Sequence, residues 1–418
     1  MQRRAPVSTT ALPIEVHARA SQPLGMPAAR FLRDYWQKHP LLIRGAFANF
    51  KNPVEPNDLA GLACEELALA RIVIEKKARA AQSQWELRTG PFAEADFGKL
   101  PKTHWTLLVQ DVDKWDADVA ALLGHFAFLP SWRIDDVMIS YAEDGGSVGA
   151  HVDQYDVFLL QGLGQRRWEI DGNPHAPKAF RDDVELKLLR EFTPTHEWVL
   201  EPGDMLYLPP GVPHHGVALG ACMTYSVGMR APSQGELLGD FVDHLAEALP
   251  EEARYGDADL EPARQAGEID DAAIERVTAA LPWLRFATDG SAPGGVDPAA
   301  LRTWFGQFIT RYRSAHAAQP NPRPLTDAAF TRALAQDARV RRNPWSRVAW
   351  LREGRGARLF VAGEAHACSL RLAQLVGAEA EFALTDAPAA ARDHAVLRAL
   401  VDAGHFALLR PRGRGRAA

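Results

Sequence analysis

A chain of 418 residues is long enough for two or three domains with an ample core. Hydrophobic residues make up 47% and charged residues 24%, as in an ordinary soluble globular protein, and a net charge of −6 excludes a general polyanion binder. Cys64, Cys222 and Cys368 lie far apart and form no CxxC pair, which excludes a disulfide framework and predicts reduced thiols and a cytoplasmic location. No apolar run approaches the length of a membrane span, and the arginine-bearing start, without an apolar stretch, does not read as a secretory signal.

In chain order, residues 1–20 are expected to lack order. PAARFLRDYWQKH, residues 27–39, predicts a short amphipathic helix with Phe31, Leu32, Tyr35 and Trp36 on one side, ended by Pro40. Leu41–Arg44 is a candidate strand, 57–70 a helix, and Ala70–Lys76, Trp85–Arg88 and Trp105–Gln110 are strands. Residues 114–125 read as a helix, and Asp136–Tyr141 as a strand feeding a glycine turn, Glu143-Asp144-Gly145-Gly146. From there to Met229 the pattern is short strands bounded by Gly, Pro, Asn or Asp: Val152–Leu160, Arg166–Ile170 after a second glycine turn at Gly162–Gly164, Glu197–Leu200, Met205–Leu208 and Cys222–Met229. This spacing fits an antiparallel sandwich or jelly-roll barrel with a ligand site between its sheets, interrupted by a helix over 180–191.

Pro232 marks a change to helices, over 234–249, 270–281 and 298–315, the first two joined by an acidic loop. Residues 236–275 hold thirteen Asp/Glu against Arg254 and Arg264. After the proline-rich linker 320–324, helices at 326–336, 368–375 and 389–403, a hairpin in SRVAWLREGRGARLFVAG and a strand at His405–Leu409 resemble a winged helix with a two-stranded wing. The tail 410–418 is basic and could touch RNA, but a frayed, solvated terminus is the favoured reading.

The chemistry lies in the middle. His151 and Asp153, two apart on a strand, share a face. A later histidine, 61 residues beyond Asp153 in the sequence PPGVPHHG, can complete a two-histidine, one-carboxylate set of the kind that holds non-haem Fe(II) with positions left open. An HxD triplet alone is weak, because among 14 histidines about one is expected by chance. His214 and His215 are adjacent, so one of the two faces the metal, and the pattern does not choose. His175 and His196 are expected to be exposed. Arg166 follows Asp153 by thirteen residues on what reads as the next strand. An arginine turned into a small barrel needs an anion, and a dicarboxylate supplies one. Arg167 then points outward, as a salt-bridged surface residue. Ser140, on the strand before the glycine turn, can add a hydroxyl to the same pocket.

HVDQYDVFLLQGLGQRRW and EPGDMLYLPPGVPHHG resemble the bacterial ribosomal oxygenases, a JmjC group of Fe(II)- and 2-oxoglutarate-dependent enzymes. The resemblance continues through YWQKHPLLIRGAF, SWRIDDVMISYAEDGGSVGAH and TYSVGMRAP and is dense over residues 30–232. It implies an α+β chain. Residues 21–232 would form a double-stranded β-helix (cupin) catalytic core, 233–318 a helical dimerisation module and 319–409 a winged-helix-like domain. It implies that His151, Asp153 and His214 bind iron, with His215 the variable neighbour, and that Arg166 binds the far carboxylate of 2-oxoglutarate. It further implies hydroxylation of an arginine side chain in large-subunit ribosomal protein sixteen, or of a histidine, as in eukaryotic members. An arginine substrate needs an acidic contact near the metal, and Asp144 is the candidate. The competing readings are a non-oxidative cupin, which has no use for Arg166 as an anion clamp, and a non-catalytic protein that binds ribosomal RNA.

Overall fold

The computed structural model describes residues 12–19, 22–76, 84–247, 249–258, 260, 271–280, 298–311 and 318–409. The basic tail and the first eleven residues lie outside the described residues, as does half of the acidic loop. The chain divides into two compact units at Ala231–Pro232, with two short later segments also in the first.

The first unit is built on ten strands: β1 (Glu15–His17), β2 (Leu41–Arg44), β3 (Ala70–Lys76), β4 (Gln84–Thr89), β5 (Trp105–Val109), β6 (Ile134–Ala142), β7 (Val157–Ile170), β8 (His196–Leu200), β9 (Met205–Leu208) and β10 (His214–Met229). They hydrogen-bond in the order β1-β2-β9-β7-β10-β6-β5-β3-β4, with β8 also on β7. All pairs are antiparallel except β1 with β2. This is the antiparallel core that the short strands predict and the cupin core that the resemblance implies. The segment before residue 20 departs from expectation: Glu15–His17 pairs in register with Leu42–Arg44.

Alternation along the strands separates two environments. On β5 and β6, Leu107, Val109, Val137 and Ile139 enter the main core, whereas Thr106, Leu108, Asp136, Met138 and Ser140 line an internal cavity. The core face is covered by α1 (Ala28–Asp34) and α2 (Pro56–Leu62) and by the short helices α3 (Glu94–Phe97), α4 (Val112–Trp115) and α5 (Ala117–Leu122). The predicted helices at 27–39, 57–70 and 114–125 are therefore present, but shorter or broken. Phe31 sits edge-on to Tyr207 at 4.9 Å and is fully buried. Truncating it to Ala is expected to cost ~3–5 kcal/mol.

Two local expectations fail for tertiary reasons. Val157–Ile170 is one fourteen-residue strand, not two strands joined by a glycine turn, so Arg166 shares a strand with Val157. Gly162 is small because the Tyr225 ring lies 2.4 Å from where its Cβ would stand. Gly164 has φ +61° against the Ala221 carbonyl, where the β7–β10 register shifts. These glycines permit close approach and a bulge inside a strand. Residues 180–191 form no helix. They belong to an irregular strap between β7 and β8, closed by a Phe180–Leu189 bridge and docked by a Leu189 N–H to Ala150 carbonyl bond of 2.9 Å.

The second unit holds α6 (Gln234–Glu247), α7 (Asp271–Ala280), α8 (Pro298–Thr310), α9 (Asp327–Ala335), β11 (Arg339–Arg342), β12 (Val348–Glu353), β13 (Gly356–Val361), β14 (Glu364–Ser369), α10 (Leu370–Ala378), β15 (Glu381–Ala383), α11 (Ala391–Asp402) and β16 (Phe406–Leu409). The wing has three strands, β12-β13-β14, not two, and β15-β11-β16 forms a second small sheet. On α8, Gly306 abuts the Phe360 ring, and Thr303 and Thr310 hydrogen-bond to Arg358 and Gly363, so this helix is built into the winged-helix body.

Candidate metal and anion site

His151 lies in the loop before β7, and His214 opens β10. The two residues exchange backbone hydrogen bonds of 3.0 Å in both directions, and their ring centroids are 4.2 Å apart. Nδ1 of His151 is 2.9 Å from the Gly149 carbonyl, and Nδ1 of His214 is 2.9 Å from that of Val212. A carbonyl only accepts, so each Nδ1 carries the proton and each Nε2 keeps its lone pair for a metal. Asp153 Oδ2 lies 3.6 Å from His214 Nε2, and the three candidate ligand atoms all fall within 4.8 Å of one another. Burial, reinforced by the neighbouring His151 ring, pushes the His214 pKa well below the ordinary histidine value, which keeps it a neutral donor. The set is two imidazole nitrogens and one carboxylate, which suits Fe(II).

The structure separates the adjacent histidines. His215 places Nδ1 3.1 Å from Glu169 Oε2, on the other side of the strand. His175 is exposed, and His196 stacks half-buried on Trp198.

Arg166 is buried and lines the cavity, whose volume is about 390 Å³. Its Nη1 donates to Ser140 Oγ at 3.1 Å and Thr224 Oγ1 at 3.2 Å, and the Thr224 hydroxyl donates onward to Gln161 Oε1. Among the described residues no carboxylate pairs with this guanidinium, and its Nε has no partner. Burial lowers its pKa, the mark of a cation without a counter-charge. The guanidinium lies over the Trp168 ring at 5.5 Å, and that ring in turn sits 5.9 Å from His214. A buried, unpaired arginine in an open cavity beside a metal-ligand set fits a carboxylate-bearing cosubstrate. Arg167 takes the opposite face, half-buried and without an ion pair among the described residues.

Asp144 is not brought to the cavity. It is exposed, and its carboxylate accepts the Gly220 backbone N–H at 2.9 Å. Besides Asp153, the acidic residues that line the cavity are Asp135 and Asp136 on β6, and Asp136 lies opposite Gly228 on β10. Burial, with the charges of Asp111 and Asp135, raises the Asp136 pKa to about 7. Asp136 and Thr224 were hidden from sequence reasoning because their place depends on the β6–β10 register. Alternation from Ser140 back to Asp136 was the one available signal.

A JmjC domain is matched over residues 121–237 and a ROXA-like winged helix over 292–407. The chain is 38% identical over 293 residues to the ribosomal protein uL16 3-hydroxylase of Escherichia coli, covering 70% of this chain and 74% of that protein. The chain belongs to the JmjC ribosomal oxygenases. These are Fe(II)- and 2-oxoglutarate-dependent dioxygenases. A probable ribosomal oxygenase of Haemophilus influenzae is 40% identical over 209 residues, half of each chain. The crystal structure of E. coli ycfD matches with a TM-score of 0.75 at 32% identity, covering 92% of this oxygenase and 98% of that chain. A second structure of that protein, holding cobalt and 2-oxoglutarate, matches at 0.72. Among the described residues of this oxygenase no helix is long and apolar enough to cross a membrane.

Proposed function

We propose that this ribosomal oxygenase hydroxylates an arginine side chain of a large-subunit ribosomal protein in the cytoplasm. His151, Asp153 and His214 hold Fe(II), and Arg166 holds the far carboxylate of 2-oxoglutarate with Ser140 and Thr224 beside it. The observation that carries the reading is the buried Arg166, without a carboxylate partner among the described residues, lining the same cavity as the three candidate ligands. The chemistry supplied there by iron and 2-oxoglutarate is oxidative decarboxylation to succinate and CO2, coupled to insertion of one oxygen atom into a substrate C–H bond. The chain's own part is to orient the cosubstrate by a bidentate guanidinium–carboxylate contact and to keep water from the cavity floor.

Asp136 supports arginine as the target. It replaces Asp144 in this role, because a carboxylate inside the cavity gives a substrate guanidinium its counter-charge. A histidine target has no comparable need for an anion there. The relative named a uL16 3-hydroxylase supports large-subunit ribosomal protein sixteen as the protein. Mass spectrometry of matched peptides from that protein, with arginine, lysine or histidine at the target position, tests the substrate. One added oxygen on the arginine peptide alone, weakened by Asp136→Asn, is expected. Oxidation of the histidine peptide instead overturns the arginine reading.

The helical segment is proposed to pair two copies of the chain. Leu238 and Val242 lie one turn apart on α6 and are 64% and 43% exposed, and Ile274 and Val277 on α7 are likewise exposed. Sedimentation at micromolar concentration is expected to give a dimer, and a clean monomer overturns this.

A further inference from the structure

The sequence HVDQYD contains a second carboxylate, Asp156, that the metal site does not use. It is fully buried. Its Oδ1 accepts the Tyr207 hydroxyl at 2.6 Å, and its Oδ2 accepts Gln37 Nε2 at 2.9 Å and Arg133 Nη2 at 3.2 Å. The Tyr207 hydroxyl is itself held, by the Gln37 backbone N–H at 2.8 Å. Gln37 adopts φ +57°, a left-handed conformation that a residue with a side chain rarely takes. That conformation lets one residue deliver both its backbone and its side-chain donor to the same pair of groups. Arg133 is fixed in turn by the Arg230 carbonyl at 2.6 Å and by the Trp36 ring at 5.6 Å. A buried charge with three donors, served by a strained neighbour, is a costly device to keep for fold stability alone.

Its place along the chain gives it a use. Residues 152–156 belong to no strand, and Gln154 and Tyr155 are exposed. The segment is tied at His151 by the bridge to His214 and at the Asp153 carbonyl by the Gly211 N–H at 2.7 Å. The next tie is Asp156, held both at its carbonyl, which accepts the Met229 N–H at 2.9 Å, and at its carboxylate. We propose that Asp156 is a positioning residue: it does not bind the metal but fixes the backbone that aims the Asp153 carboxylate. The proposal rests on the reading of His151, Asp153 and His214 as the metal ligands. A short connection to a buried anchor spares Asp153 the ordering cost when the metal arrives, as outer contacts do for metal ligands in general.

Titration of the full chain with Mn(II), followed by electron paramagnetic resonance, tests this beside thermal melts by circular dichroism. The parent chain binds Mn(II), and His151→Ala abolishes binding; if the parent does not bind, the metal reading fails and the anchor falls with it. Asp156→Asn keeps the shape but loses the charge and sets its amide against two donors. Its Mn(II) dissociation constant is expected to rise ~10-fold or more. Tyr35→Phe removes a hydrogen bond to Pro13 in the same core without touching Asp156, and is expected to lower the melt and leave Mn(II) binding unchanged. A folded Asp156→Asn with Mn(II) affinity within about twofold of the parent overturns the proposal. If that variant does not fold, Gln37→Asn, which tolerates the left-handed backbone but falls short of Asp156, and Tyr207→Phe decide it. Weaker Mn(II) binding in both supports the anchor, and unchanged binding in both overturns it.

Discussion

His151 and His214 face each other across two reciprocal backbone hydrogen bonds of 3.0 Å, with their rings 4.2 Å apart and each Nδ1 fixed by a carbonyl of its own loop. Both imidazoles are therefore oriented before any metal is bound. Replacing either with Ala removes one ligand and the partner's packing surface together. Each variant is expected to lose Fe(II) binding, read by calorimetry under anaerobic conditions, while 2-oxoglutarate protection of the melt also disappears. Retention of tight Fe(II) binding in His214→Ala, with loss in His215→Ala, contradicts the assignment.

Arg166 gives a prediction in which stability and function diverge. Its buried guanidinium has two hydroxyl acceptors and no carboxylate among the described residues. Removing an uncompensated buried charge in favour of an apolar side chain of similar volume is often neutral or stabilising by ~1–4 kcal/mol. Arg166→Met is expected to melt no lower than the parent and to weaken 2-oxoglutarate by roughly a hundredfold, the loss of one charge-assisted, bidentate contact. A marked fall in melting temperature would mean that Arg166 is paired and that its role is structural.

Thr224 contributes less. It accepts from Arg166 and donates to Gln161, so it fixes the direction of the guanidinium. Thr224→Val is expected to weaken 2-oxoglutarate by ~1 kcal/mol, about fivefold, as one hydrogen bond is lost. Fluorescence titration with Mn(II) present measures this directly.

The pH dependence follows from Asp136, whose pKa is raised to about 7 by burial and then by Asp111 and Asp135. Only the ionised form attracts a guanidinium, so KM for an arginine peptide is expected to fall as pH rises through 7. The stability effect has the opposite sense. A carboxylate whose pKa is higher folded than unfolded, where it is ~4, favours the folded state less as pH rises between the two values. Asp136→Asn should raise KM, flatten its pH profile and remove that slope from the melts. A KM that is flat from pH 6 to pH 8 in the parent contradicts a cation contact at Asp136.

Chemical type and spacing made part of the site legible. His151, Asp153 and Arg166 carry unusual side-chain demands that few alternatives satisfy, and Ser140 followed from the strand before them, whereas spacing left His214 and His215 open and only the resemblance chose His214. What failed was geometry set by distant partners. Gly162 and Gly164 resemble a turn until Tyr225 and the Ala221 carbonyl are placed against them. The run around Leu188 and Leu189 resembles a helix because both leucines are buried, yet they are buried by docking the strap on Gly149 and Ala150. Asp144 stood nearest the motif in sequence, but the β6–β10 pairing sends it outward and brings Asp136 in.

One measurement tests the central claim most directly: turnover under oxygen-18 gas, with succinate and the arginine peptide of large-subunit ribosomal protein sixteen analysed from the same reaction. The account predicts one labelled oxygen on the peptide's arginine and one in succinate for each turnover, both abolished by His151→Ala and strongly reduced by Arg166→Met. Succinate formed without label in the peptide would contradict the substrate, and label in the peptide that survives His151→Ala would contradict the site.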